Sequence, residues 1–304
     1  MKTSYANVVV VGAANIDIFA QSHRSVTEHD SNPGHIHVAH GGVGRNIAEN
    51  LARLNLKPIF FTALAQDQDG LLIRQNLERL GAIVEAVAQA QSNRYVAMLD
   101  EVGEMVVAVA DMASLDSLNE RFLAKHQTVL SRANYLVLDA NLAEATWSWL
   151  TAQVSSPIYA DAISVSKAAR LKPYRASIHT LKVNRFEASV LSECDQQASP
   201  ETHVIALLNH GVKEVFLTLG EAGALHGTAE GIRHKRSPLS KVDIVNTTGA
   251  GDAFMSGVIY ARHHHKDPLK YGLAMSSIAL QSRDAVAKTL TADFLEHIVK
   301  ESIL

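Results

Sequence analysis

Cysteine is almost missing from this sequence: the 304 residues contain one, Cys194. A lone thiol closes no internal disulfide and anchors no cysteine zinc site, and such usage fits the reducing cytoplasm. Long apolar runs are also absent. No window approaches the ~18 consecutive apolar residues of a membrane helix, and Met1 to Asn7 is too short and polar for an export signal. Nor is positive charge in excess: 28 Lys and Arg against 31 Asp and Glu leave a formal net charge of −3. The basic footprint of a nucleic-acid binder is therefore lacking. No repeat or low-complexity segment occurs. What is present is 47% hydrophobic residues over 304 positions, enough to bury one large α/β core or two smaller ones.

The hydrophobic pattern alternates between strand and helix. Val8 to Val11 followed by Gly12 reads as a buried strand ending in a turn. Val43, Ile47, Leu51 and Leu54 then mark one stripe of an amphipathic helix beginning after Gly41-Gly42. Strands at Pro58 to Leu64, Tyr135 to Leu138, Ile158 to Ala160 and Glu214 to Leu219 follow, with helices at Gly70 to Leu80, Thr146 to Ala152 and from about Ala250 and Pro268. Ala224 to Arg236 reads as a hairpin. Strand and helix in turn predict a parallel sheet with right-handed crossovers. Two stretches break the rhythm, Ile16 to His40 and Asn93 to Val109, the second with a turn at Asp100-Glu101-Val102-Gly103. The sequence thus predicts an α/β domain from 1–15, 41–92 and 110–304, and a small β subdomain from 16–40 and 93–109.

Chemistry concentrates in Val245-Asn246-Thr247-Thr248-Gly249-Ala250-Gly251-Asp252-Ala253-Phe254. Small residues at a helix start let backbone N–H groups converge on an anion, where the helix dipole favours negative charge. A carboxylate in the first turn, Asp252, then stands where a hydroxyl would lose its proton during phosphoryl transfer. A bare glycine-rich helix start capped by Asp would look similar, but the longer string resembles the second signature of the ribokinase-like (PfkB) carbohydrate kinases. The first signature of that family resembles Gly41-Gly42-Val43-Gly44-Arg45-Asn46-Ile47-Ala48-Glu49-Asn50-Leu51-Ala52-Arg53-Leu54, some 200 residues upstream.

The resemblance covers essentially the whole chain and implies a doubly wound, mainly parallel sheet flanked by helices, with a small β-sheet lid. It implies Asp252 as catalytic base, Gly249, Ala250 and Gly251 as anion hole, and ATP with Mg²⁺ as phosphoryl donor. Asn184-Arg185-Phe186-Glu187 resembles the family's Asn-x-x-Glu motif, which assigns Asn184 to the nucleotide and Glu187 to Mg²⁺ and its waters, a hard cation preferring oxygen. Thr218, Gly220 and Gly223 match the turn that approaches the nucleotide. Asn15, Asp17, Gly42 and Asn46 match the sugar site, where a carboxylate accepts two hydroxyl hydrogens at once. Asn246 stands where relatives more often carry Asp, a position linked to a monovalent cation; a neutral amide holds K⁺ less strongly and leaves that activation open.

Within the family the Asp30-Ser31-Asn32-Pro33-Gly34 loop, the Gly103-Glu104-Met105 hairpin and Lys167 resemble the pseudouridine kinases. Ser31, Asn32 and Lys167 are accordingly expected at the base, and the 5′-hydroxyl of the nucleoside as acceptor. Kinases of ribose or another nucleoside share the machinery, and a non-catalytic nucleoside-sensing relative would show damage at Asp252, Glu187 or the glycines, all of which stand intact. A dinucleotide dehydrogenase is disfavoured because Gly12-Ala13-Ala14-Asn15 lacks the GxGxxG fingerprint. His35, His37, His40 and the His263-His264-His265 run read as solvated histidines. An apolar outer face on the lid would pair with a second lid, so a homodimer is expected.

Overall fold

The computed structural model describes residues 8–237 and 244–301; the N-terminal segment 1–7 lies outside them. Among the described residues thirteen strands form two sheets. The large sheet contains β1 (Val8–Val11), β4 (Ile59–Ala65), β5 (Ile83–Gln89), β8 (Tyr135–Asp139), β9 (Ile158–Asp161), β10 (Ile178–Asn184), β11 (Glu214–Thr218), β12 (Ala224–Thr228) and β13 (Gly231–Lys235). The small sheet contains β2 (Asn15–Ser22), β3 (Gly34–Gly41), β6 (Arg94–Leu99) and β7 (Met105–Asp111).

The order in the large sheet is β13-β12-β11-β10-β9-β8-β1-β4-β5, parallel from β11 through β5 and antiparallel at the hairpin edge. Its four-valine strand β1 is central because β-branched residues tolerate burial on both faces. Val8 and Val10 join one core with Ile47, Leu51 and Phe254, while Val9 and Val11 join the other with Trp147, Leu150 and Leu191. The strand order reverses at β1, with β8 on one side and β4 on the other, so a crevice opens at the carboxyl ends of the strands.

The expected elements stand close to where the pattern put them, and a side-chain cap accounts for one shift. The helix expected from Gly70 starts at Gln68, because the Asp67 carboxylate accepts the Gly70 N–H at 2.8 Å. The short helical turns between Ala113 and Ser131 were not anticipated; their apolar residues, Leu115, Leu118, Leu123 and Leu130, are buried without a regular period.

The small sheet, ordered β3-β2-β6-β7, comes from the two polar excursions. Asp100 closes the expected turn between β6 and β7, accepting the N–H groups of Val102 and Glu104 at 3.0 and 2.8 Å. Alternation along these strands divides the faces. Ile36, Val38, Val96, Met98, Val107 and Val109 are all exposed large apolar residues, and their registered partners put them on one face.

Among the described residues no helix is long and apolar enough to cross a membrane.

Candidate active site

Polar side chains cap the carboxyl ends of the central strands: Asp139 ends β8, Asp161 ends β9, Lys182 lies near the end of β10 and Asn184 terminates it. All but Asn184 are buried. Asp139 ties the crevice floor together. Its Oδ2 accepts the N–H of Ala13 at 2.8 Å and of Gly44 at 3.2 Å, and its Oδ1 that of Asn141 at 2.9 Å. Burial still pushes this carboxyl up to about 6, outweighing the three donors.

The helix Ala250–His263 aims its N-terminus at the same crevice. Gly249 precedes it with φ 82°, and a Cβ there would stand 2.1 Å from the Ala285 carbonyl oxygen, so only glycine fits. Lys182 reaches beneath the first turn, its Nζ 2.5 Å from where a Cβ on Gly251 would sit. That ammonium is bound to both oxygens of Asp161, at 3.1 and 3.0 Å, and the pair is buried. Its neighbours Asp161, Glu187 and Asp252 hold Lys182 firmly protonated despite burial. Backbone N–H groups, helix dipole and ammonium therefore converge below one small-residue turn, which suits a phosphate.

Asp252 sits in that turn, 7% exposed. Its Oδ2 accepts from Asn46 Nδ2 at 2.7 Å, and among the described residues Oδ1 carries no hydrogen bond. Arg45 orients the amide: it donates to Asn46 Oδ1, to the His40 carbonyl at 2.6 Å and to Glu49 Oε2 at 2.5 Å. The chain Glu49, Arg45, Asn46, Asp252 thus aims one amide N–H at the Asp252 carboxylate. Burial, followed by the negative charge of Asp161, pushes Asp252 up to about 7, against the opposing pull of Lys182, the Asn46 bond and Arg45. A carboxyl poised near neutrality matches a general base.

Two cavities flank this turn. One of about 390 Å³ lies under the small sheet, and Asp17 and Phe19 of β2 and His37 of β3 line it. The other, about 300 Å³, is lined by Thr218, Gly220, Gly223, Ala250, Gly251 and apolar Phe254, Leu273 and Leu280 among others. The chain between them faces both: Asn246 and Thr248 line the first, Thr247, Ala250 and Gly251 the second. A larger cavity of about 660 Å³ beside the β12–β13 hairpin contains none of these residues.

The structure therefore brings Asp17, Asn46, Asp252, the Gly249–Gly251 turn and the Thr218–Gly223 turn to one crevice. Asn15 supports Asp17, donating to its Oδ1 at 2.6 Å, and Gly42 is the N-cap of the helix Val43–Arg53. Glu187 is buried in a capping box, its Oε2 accepting the Asn184 N–H and its Oε1 the Asn184 amide, both at 2.8 Å. Asn184 in turn accepts the N–H groups of Phe186 and Glu187.

Ser31, Asn32 and Lys167 do not line the lid cavity. The Asn32 amide is consumed by its own loop, accepting the Thr27 N–H and donating to the Thr27 and Asp30 carbonyls. Lys167 lies in the short helix Val165–Ala168 and is held below its usual range by burial and Arg170. Asn246 shapes its loop, accepting the Thr248 N–H and donating to the Arg283 carbonyl. Arg45, Glu49, Asp139, Asp161 and Lys182 went unassigned by sequence reasoning. Their signal was a charge interrupting or ending an apolar strand or helix face, a position where solvated ions are not found.

Among the described residues no group of three or more His, Cys, Asp or Glu could cage a metal ion. Glu187 has both oxygens occupied, which does not suit direct ligation. It does suit a Mg²⁺ ion that keeps its waters and rides on substrate phosphates.

The family model for pfkB carbohydrate kinases matches residues 6–292. The pseudouridine kinase of Escherichia coli (strain K12) is 34% identical over 83% of this chain and 82% of its own length. The Arabidopsis thaliana ribokinase complexed with ribose and ATP superposes with TM-score 0.84 at 22% identity, covering 97% of this chain and 99% of that one. A structure described as ribokinase II from E. coli, in complex with ATP and Mg²⁺, superposes with TM-score 0.81 at 18% identity, over 96% and 98% of the two chains. With both signatures folded into one crevice and the family model spanning nearly its whole length, this chain belongs to the pfkB family of carbohydrate kinases.

Proposed function

We propose that this kinase phosphorylates the 5′-hydroxyl of pseudouridine, using ATP and Mg²⁺. One observation carries the phosphoryl-transfer part: the segment before Asp252 is shared between two cavities, Asn246 and Thr248 lining one and Thr247, Ala250 and Gly251 the other. An acceptor seated against Asp17 and a nucleotide seated against Thr218 and Gly220 would meet at that carboxylate.

ATP with Mg²⁺ would supply the γ-phosphoryl group with its charge partly neutralised. The protein's part is positioning and electrostatics. Asp252 accepts the hydroxyl proton on the oxygen that Asn46 leaves free. The 249–251 amides and Lys182 stabilise charge on the transferred group. Glu187 would hold water of the metal ion rather than the ion itself. Asp17, steadied by Asn15, accepts ribose hydroxyls. The small sheet closes over the acceptor and excludes water, which would otherwise compete for the phosphoryl group. Its outer apolar face supports pairing of two lids in a homodimer.

The pseudouridine assignment is supported by the 34% identical relative of that activity. A panel of pseudouridine, uridine, cytidine, adenosine and ribose with ATP and Mg²⁺ tests it. A pseudouridine kcat/KM at least tenfold above every other acceptor is expected; a leading value for ribose would reassign the protein to a sugar substrate.

A further inference from the structure

Three side chains in the lid cavity present polar groups that the protein itself does not use. The register pairs Phe19 with His37 and Gln21 with His35 across β2 and β3, and all four line the cavity that Asp17 enters. Among the described residues, neither the Gln21 amide nor either imidazole makes a hydrogen bond, whereas the Asn32 amide is saturated by its own loop. Gln21 is only half-buried, with Nε2 3.7 Å from where a Cβ on Gly103 would stand, so the β6–β7 turn is beside it.

The spacing measures a nucleoside. Asp17, Phe19 and Gln21 alternate on one face of β2, about 6.6 Å apart per step at the usual strand rise. A ribose held at Asp17 would place its base over Phe19, with the cross-strand His37 on the base's flank and Gln21 and His35 at its outer edge. A flat ring suits Phe19 and the imidazole, and an amide offers both a donor and an acceptor to an imide edge.

We infer that the base is read by the β2–β3 pair, Phe19, Gln21, His35 and His37, rather than by the Asp30 to Gly34 loop. The inference deepens the nucleoside-kinase reading and rests on it. It also identifies the ligand class by chemistry: a planar heterocycle with adjacent hydrogen-bond donors and acceptors, joined to a pentose.

The test compares Gln21→Leu, His37→Leu and Ser31→Ala with the unaltered enzyme, measuring kcat/KM for pseudouridine and for uridine together with the KM for ATP. Loss of one base contact should lower pseudouridine kcat/KM about tenfold in Gln21→Leu and His37→Leu. The KM for ATP should stay within twofold, and circular dichroism melting confirms that each variant is folded. His37→Gln, which keeps a polar group, should recover part of the loss. A larger loss in Ser31→Ala than in Gln21→Leu would overturn the inference, as would unchanged pseudouridine kinetics in both strand variants. Absence of nucleoside phosphorylation by the unaltered enzyme would instead overturn the nucleoside-kinase reading.

Discussion

The crevice floor and the lid are built on opposite principles. On the floor, almost every polar group has its partner: Lys182 with Asp161, Asn46 between Arg45 and Asp252, Asp139 with three backbone donors. In the lid, one face is apolar and exposed and the other carries Gln21 and histidine side chains that make no hydrogen bond among the described residues. A saturated, buried network cannot rearrange cheaply, which suits chemistry common to a family. Unpaired groups on a thin sheet change partners with little cost to the core, which suits choice of acceptor. The contrast yields a ranking of mutational effects.

The largest belongs to Asp252, the proposed base. Asp252→Asn should lower kcat by about 10²–10⁴-fold, because the amide accepts no proton while keeping the shape. The same substitution should stabilise the fold at alkaline pH. Burial raises this carboxyl to about 7, so the stability its proton provides is complete below the ordinary carboxylate range and is lost as pH rises through about 7. Activity runs the other way, since the base must be ionised: kcat/KM should climb with pH to a limb near 7. Near-native turnover in Asp252→Asn would remove it from that role.

Next comes the buried ion pair. Asp161→Asn strands the Lys182 ammonium and should cost about 3–5 kcal/mol in denaturant unfolding, whereas Asp161→Asn with Lys182→Met should recover much of that. Equal losses in the single and double variants would mean that the charges are not coupled.

Asp17→Ala follows, with kcat/KM for the acceptor down by about 10–100-fold through lost hydrogen bonds to a charged group. The KM for ATP should hardly move. Glu187→Gln should instead shift the Mg²⁺ concentration for half-maximal turnover by about 10-fold, as for groups that act on a metal through its waters. Separate Mg²⁺ and acceptor titrations distinguish the two, and the reverse pattern would exchange their assignments.

The smallest effect on folding belongs to the lid's outer face. Val38→Glu, at a side chain already 56% exposed, should change monomer stability by less than about 0.5 kcal/mol. It should nonetheless abolish self-association in sedimentation velocity if two lids pair there. Unchanged sedimentation would place any dimer contact elsewhere.

Much of this molecule was readable along the chain, because burial imposes a period on residues close in sequence. Four valines before Gly12 had to be a central strand, and the Ile47–Leu51–Leu54 stripe had to be a helix against it. The glycines before Asp252 carried their meaning locally too, since a helix start and its first-turn carboxylate are neighbours in the chain. What lies far apart in sequence became legible only when folded. Asn46 and Asp252 are separated by 206 positions and meet at 2.7 Å; Lys182 and Gly251 meet because parallel strands and a helix start share one edge. The Asp30 to Gly34 loop shows the same limit: its Asn32 amide turns inward to its own backbone, while Gln21 and His37, plain lid residues in the sequence, line the cavity and make no side-chain hydrogen bond among the described residues. Local pattern determines which elements form and which face is buried. Which polar groups are satisfied, and which are left over for a ligand, is decided by tertiary packing, because a hydrogen bond depends on distance in space.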